Sequence, residues 1–301
     1  MKPALSLLLT AALSAPVAAA AQDKPPIVVN GERLSQSAAR ERAQQFIRAV
    51  GVATGETPAA RWIDPVFPVV IGLNDAARDV AEAEVRRIAR EAGAPVAAAP
   101  CAKNFAITFT PDAGAVARAI AERDPSRVAE LSPEARAAVL GGNQPVRWWY
   151  ITEHRSRDGT PANAGLGGAG GTNQNIEGSG YGGAMSGGGT MQYGSSVLST
   201  LSQRSIASAV VIVDTDGVEG RSLKAVAAYA ALVGLAEIRQ SGAKPAGSIL
   251  TMFDGGTPVR SLTRQDQAFL KALYRLPLDR KAQLHRSALV GDMTRDLSVG
   301  P

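Results

Sequence analysis

The chain has 301 residues, 45% of them apolar and 20% charged, with a net charge of +5 and a single cysteine. That apolar share is enough to bury a real core, and acidic and basic residues alternate rather than cluster, as between Glu82 and Glu91, so the small positive excess does not point to a nucleic-acid partner. With only Cys101 present, an intrachain disulfide is excluded; an intermolecular bridge, a nucleophile or a buried thiol remain, the last being the commonest behaviour of unpaired cysteine.

In chain order, residues 1–21 read as a secretory signal peptide. Lys2 gives the positive end, Ala4 to Val17 is apolar, and Ala19-Ala20-Ala21 supplies small residues for cleavage before Gln22. Pro16 breaks the stretch, no stop-transfer flank follows, and no cysteine stands at the cleavage point. The expectation is a periplasmic or secreted mature chain of about 280 residues, with no retained membrane anchor or lipid. Residues 22–34 are a flexible lead-in containing one short extended segment, Ile27 to Val29.

Ser35 is placed to cap a first helix, with Ala43, Phe46, Ile47 and Val50 on one face. After a loop from Thr54 to Pro65, the β-branched run Val66 to Leu73 predicts a buried strand. Asn74 then caps a helix to Ala92, striped by Ala81, Val85, Ile88 and Ala92. Phe105 to Phe109 is a second strand, Pro111 and Asp112 open a helix, and Ser132-Pro133-Glu134 opens another with its cap and first-turn proline in their preferred places. Val146 to His154 is a third strand. Residues 159–194 are dominated by Gly, Asn, Ser and Thr and cannot bury enough surface to offset their ordering entropy, which predicts a disordered insertion. Two Gly-x-Gly-x-x-Gly matches inside it, beginning at Gly165 and Gly178, neither follow a strand nor open a helix and are products of glycine density.

A polar stretch from Ser195 to Ser208 precedes a fourth strand, Ala209 to Val213, which ends at Asp214 and Asp216. Ser222 caps a helix that is apolar all round from Ala225 to Ala236, about 18 Å long and so too short to cross a bilayer. A central buried helix is the remaining reading. A tight segment Ser248-Ile249-Leu250 and a helix from Thr263 to Tyr274 follow. His285 falls on a late polar helix and is expected in solvent, and residues 291–301 form a flexible tail. The fold class predicted is α+β: one mixed-sheet domain over residues 35–290 with a buried central helix.

Candidate chemistry is thin. On a strand, Trp148, Tyr150, Thr152 and His154 share one face and Trp149, Ile151 and Glu153 the other. The aromatic cluster suits a central strand packed on both faces better than a ligand platform. Glu153 and His154 cannot pair as acid and base because adjacent strand residues diverge. Asp214 and Asp216 lie at a strand end, where open α/β sheets often place function, although turn formation also accounts for them. A zinc site would need both His154 and His285 from distant segments, and there is no Gly-x-Ser-x-Gly elbow. No catalytic, cofactor-binding or metal-binding residue is assigned.

The order strand, helix, strand, strand, strand, buried helix, turn, helix resembles the layout of zincin-type metalloproteases, matrixin-like ones in particular. In that family the central helix carries H-E-x-x-H-x-x-G-x-x-H, followed by a Ser-Ile-Met turn and a helix of the form Leu-Ser/Thr-x-x-Asp…Leu-Tyr. Here Gly234-Leu235 ends the buried helix, Ser248-Ile249-Leu250 stands at the turn, and Leu262-Thr263-x-x-Asp266 leads to Leu273-Tyr274. The resemblance, over roughly Val66 to Tyr274, puts Ala227, Ala228 and Ala231 at the first His, the Glu and the second His, with Glu237 at the third ligand position. Alanine neither ligates zinc nor activates water, so the implied state is a zincin-like fold with an emptied metal site. The chain is also similar to a group of exported proteins of Gram-negative bacteria with Trp-x-x-Pro-Val-Cys-Pro early and an Asn-containing strand after a second Cys. Trp62, Pro65-Val66-Phe67-Pro68, Cys101 and Asn104 match, but Phe67 replaces the first Cys, which implies that Cys101 has lost its disulfide partner.

The expectation is therefore a non-catalytic envelope protein that binds another protein or a peptide, for which a free strand edge would suffice. The alternatives are a hydrolase with an unrecognised site, built from His154, Glu153 and Asp214, and a structural envelope protein.

Overall fold

Strands first: Pro68–Ile71 (β1), Phe105–Thr110 (β2), Val146–Ser156 (β3) and Ser202–Asp214 (β4) form one mixed sheet in the order β1-β2-β4-β3. The computed structural model describes residues 34–98, 103–156, 200, 202–240, 242–255 and 259–299. The segment expected to be a signal peptide, all of the expected lead-in but Leu34, Cys101 and the Gly-rich segment 159–194 lie outside the described residues. β1 runs parallel to β2 with Pro68 opposite Phe105, and β2 runs parallel to β4 with Phe105 opposite Ala209. β3 is antiparallel to β4 from Val146 opposite Val213 to Ser156 opposite Ser202, with a register shift at Ile151/Thr152.

Among the described residues there are seven α-helices: Gln36–Val50 (α1), Asp75–Ala92 (α2), Ala113–Arg123 (α3), Pro133–Gly141 (α4), Leu223–Leu235 (α5), Arg264–Arg275 (α6) and Ala282–Ser298 (α7). The caps expected from sequence are in place. Ser35, Asn74, Asp112, Ser132 and Ser222 each accept the amide of the third helical residue, and Thr263 with Asp266 forms a reciprocal capping box.

The sheet separates two layers of core. α1, α2, α5, α6 and α7 contribute to the larger, which takes Trp148, Val211 and Val213 from the sheet; α3 and α4 cover the other face over Trp149, Val210 and Ile212. Period-two alternation on β3 and β4 therefore buries both faces.

Four expectations need correction. β3 is packed on both faces but lies at the sheet edge, not its centre. β4 begins at Ser202, well before Ala209, because its polar first half pairs with the polar end of β3: Ser205 Oγ bonds Glu153 at 3.2 Å and Arg204 reaches Thr152 at 3.2 Å. His285 is buried at 1% exposure, where its Nδ1 accepts the Ala59 amide at 3.1 Å and Nε2 donates to the Pro277 carbonyl at 2.9 Å. The flexible tail is instead the end of α7, helical to Ser298, because Met293 and Leu297 are core residues.

Candidate functional site

Every residue of α5 from Ala225 to Leu235 is buried. Ala227, Ala228 and Ala231, which the resemblance sets at ligand positions, are at most 1% exposed. Their methyl groups are core, with no donor atom among them. Gly234 has its own steric reason: a Cβ there would lie 1.9 Å from the Phe105 ring, so the helix meets β2 at a contact only glycine permits.

A helix buried at its C-terminus must satisfy its last carbonyls without water. α5 has no glycine C-cap and no basic residue in its last turn; aromatic side chains do the work. Trp62 Nε1 donates to Gly234 O at 2.9 Å, Tyr274 Oη to Leu235 O at 2.8 Å, and Trp148 Nε1 to Ile238 O at 2.9 Å. The Tyr150 hydroxyl lies on the Val233 and Ala236 carbonyls and accepts the Ile238 amide at 3.1 Å. Burial raises the Tyr150 phenol well above its ordinary pKa, which keeps this donor protonated. The Tyr150 hydroxyl thus caps the helix, and the Trp148 indole N–H holds the turn that follows it.

The turn after α5 is tied to α6 by a buried carboxylate. Asp266, fully buried, accepts from Ser248 Oγ at 2.5 Å, the Ile249 amide at 2.9 Å, and both the amide and hydroxyl of Thr263 at 2.9 and 2.7 Å. Burial pushes the Asp266 pKa up while these donors oppose it. The Ser-Ile-Leu turn and the Leu-Thr-x-x-Asp segment, separate in sequence, are one hydrogen-bonded unit. Asn104 makes a similar join, accepting the Phe67 amide at 2.8 Å and donating to Pro65 O at 3.0 Å.

Both sheet edges are covered by side chains. Along β3, the Gln240 amide accepts from Trp148 N at 2.8 Å and donates to Val146 O at 3.3 Å, while Glu130 accepts from Thr152 N at 3.1 Å. Along β1, Glu82 accepts from Val70 N at 3.0 Å, and its ion-pair partner Arg86 donates to Pro68 O at 3.3 Å. These contacts satisfy edge groups that otherwise template strand addition. Nothing in the sequence singles out Gln240 or Glu130, because an edge contact is not encoded by local spacing. Beside the Gln240 cover lies a cleft of about 110 Å³, floored by Trp148, Tyr229 and Phe253 and rimmed by Arg239 and Lys244. That is room for about four waters.

The residues named for a hydrolase do not converge. Glu153 binds Arg155 and Ser205, whereas His154 on the opposite face stands against Arg204 and is influenced by Glu237. Asp214 is ten residues further along β4 than Arg204, roughly 30 Å away. Burial, and then the Arg204 charge, lower the His154 pKa, with Glu237 opposing. Glu237 itself forms a two-point ion pair with Arg204. Asp214 accepts the amides of Asp216 and Gly217, so this carboxylate does shape a turn, and Asp216 is exposed. Among the described residues no group of three His, Cys, Asp or Glu could hold a metal, and no helix is long and apolar enough to cross a membrane.

Comparison with family models, curated proteins and solved structures finds no match. The site's chemistry therefore rests on its geometry alone.

Proposed function

We propose that this chain is an exported, non-catalytic binding domain, a zincin-like scaffold whose metal-bearing helix has become core and whose β3 edge receives an extended peptide or protein segment. The observation that carries the first half is the complete burial of Ala227, Ala228 and Ala231. A catalytic metal needs three donors and an open coordination position, and this helix face supplies neither. The element order and the Ser248–Asp266 lock between the two motif segments support the zincin-like reading.

The β3 edge supports the second half. One primary amide, that of Gln240, meets an N–H and a C=O on alternate residues as the N–H and C=O of one residue in an added parallel strand would. β3 is eleven residues long against four for β1, and the aromatic cleft opens beside it. A bound strand would displace Gln240 and set a side chain in that cleft.

Zinc content of the purified mature chain, measured by elemental mass spectrometry with and without prior zinc exposure, tests the first half. The expected result is no stoichiometric metal; one zinc per chain would overturn the reading. For the second, Gln240→Ala should raise retention of extended peptides on the immobilised chain severalfold. Equal retention by parent and variant would remove β3 as the binding edge.

A further inference from the structure

We propose that the crevice at the carboxyl ends of β2 and β4 binds a compact zwitterion of the free amino acid type, its carboxylate on Arg118 and Arg147 and its ammonium on Asp112 and Asp214. This proposal does not rest on peptide binding at the β3 edge or on the alanine face of α5, although Arg147 belongs to β3.

The crevice follows from topology. β2 and β4 are parallel neighbours, but β2 leads into α3 on one face of the sheet and β4 into α5 on the other. Chains that part in this way leave an opening at the strand ends, the place where open α/β sheets take ligands. Here it is a cleft of about 370 Å³. Asp214, flagged in the sequence as a strand-end carboxylate, lies on its wall.

Four charges line it, two of each sign. Arg147 is 5% exposed, and its guanidinium donates to the carbonyls of Val139 at 3.0 Å, Gln144 at 3.3 Å and Gly142. Arg118 donates to Leu140 O at 3.2 Å. Among the described residues neither guanidinium reaches a carboxylate within 4.0 Å, although Asp214, Asp112 and Arg118 all act on the Arg147 charge. The carboxylates are likewise held by backbone only. Asp112 Oδ1 accepts the Ala115 amide at 2.7 Å, and Asp214 Oδ1 accepts those of Asp216 at 3.2 Å and Gly217 at 3.1 Å. Each second oxygen has no partner among the described residues.

The groups border a common space. A Cβ on Gly114 would lie 3.2 Å from Arg118 Nη1, 3.5 Å from Arg147 Nη2 and 3.5 Å from Asp112 Oδ1. The absent side chain lets both guanidiniums sit over the first turn of α3. Opposite charges this near ordinarily pair; here the backbone hydrogen bonds keep them apart. A lone anion would meet two arginines but also two aspartates, and a metal cation would meet the reverse. A ligand carrying both charges a few ångströms apart satisfies all four, with charge-assisted hydrogen bonds at each end.

The test is calorimetric titration of the mature chain with the common amino acids, with acetate and methylammonium as single-charge controls. Saturable binding of one or more amino acids is expected, with both controls at least about tenfold weaker. Arg118→Gln and Asp214→Asn should each weaken binding about tenfold or more while leaving Tm within about 2 °C, because Arg118 is exposed and Asn keeps the turn's acceptor. No saturable binding of any amino acid up to about 20 mM would overturn the proposal. So would acetate binding as tightly as the amino acid, or binding indifferent to both substitutions.

Discussion

At Gly234 the missing side chain is a packing requirement. Gly234→Ala drives a methyl group into the Phe105 ring and should destabilise the fold by about 3 kcal/mol, read as a lower urea midpoint at unchanged slope. At Tyr150 the requirement is polar. Tyr150→Phe leaves the Val233 carbonyl of α5 without its buried donor, while the Ile238 amide keeps its bond to the Ala236 carbonyl, at a cost of about 1 to 2 kcal/mol by the same measurement. His285 is a protonation case. Burial lowers its pKa, with the Pro277 carbonyl opposing, and its Nδ1 must stay unprotonated to accept from Ala59. The unfolded chain therefore takes up this proton first, as pH falls below about 6.5. Stability present above that pH is lost progressively down to the folded-state pKa, by at most about 1.4 kcal/mol per pH unit. His285→Gln keeps an acceptor but binds no proton, so its melting temperature should fall less between pH 7 and pH 5. An identical fall would remove His285 from the acid response.

At the scale of elements, α1 to α4 and α6 announce themselves through caps and apolar spacing, because both are local: a Ser, Thr, Asn or Asp meets an amide three residues on, and one face repeats every turn. α7 was harder. Its apolar face is weakly marked, and it is buried by packing on α1 and α6, which no window of sequence contains. The strand centres were equally legible, their ends and neighbours less so. The first half of β4 reads only as a polar stretch before the strand because its partners, Glu153 and Thr152, are supplied by β3. A strand flanked by Trp148 and Trp149 reads as central, yet an edge strand with helices on both faces buries the same side chains. Among site features, the alanine face of α5 and the strand-end position of Asp214 were visible. The aromatic caps and Gln240 were not, since each joins residues at least 39 positions apart or depends on which strand is the edge.

At the scale of the molecule, β3 and β4 pair up to Ser156 and Ser202, on either side of residues 157–201. Among the described residues the ladder runs without a gap other than the shift at Ile151/Thr152. Deleting Gly165 to Gly189 should leave the melting temperature nearly unchanged, since shortening a loop changes closure entropy only logarithmically; a large loss by differential scanning calorimetry would show that the segment contributes to the folded core. Side chains bond several backbone groups along both edges of the sheet, so a strand added at β3 would first have to displace them.

The sequence by itself determined the α+β class, the helix starts, the buried central helix and its lack of metal donors, because periodicity, capping and the absence of histidine are local properties. Tertiary structure alone decided which strand is the edge, which side chains end α5, and where His285 lies. It also decided that two arginines and two aspartates from three separate segments share one crevice. Those are consequences of strand order and of the face on which each crossover runs, and neither is written in any contiguous stretch of the chain.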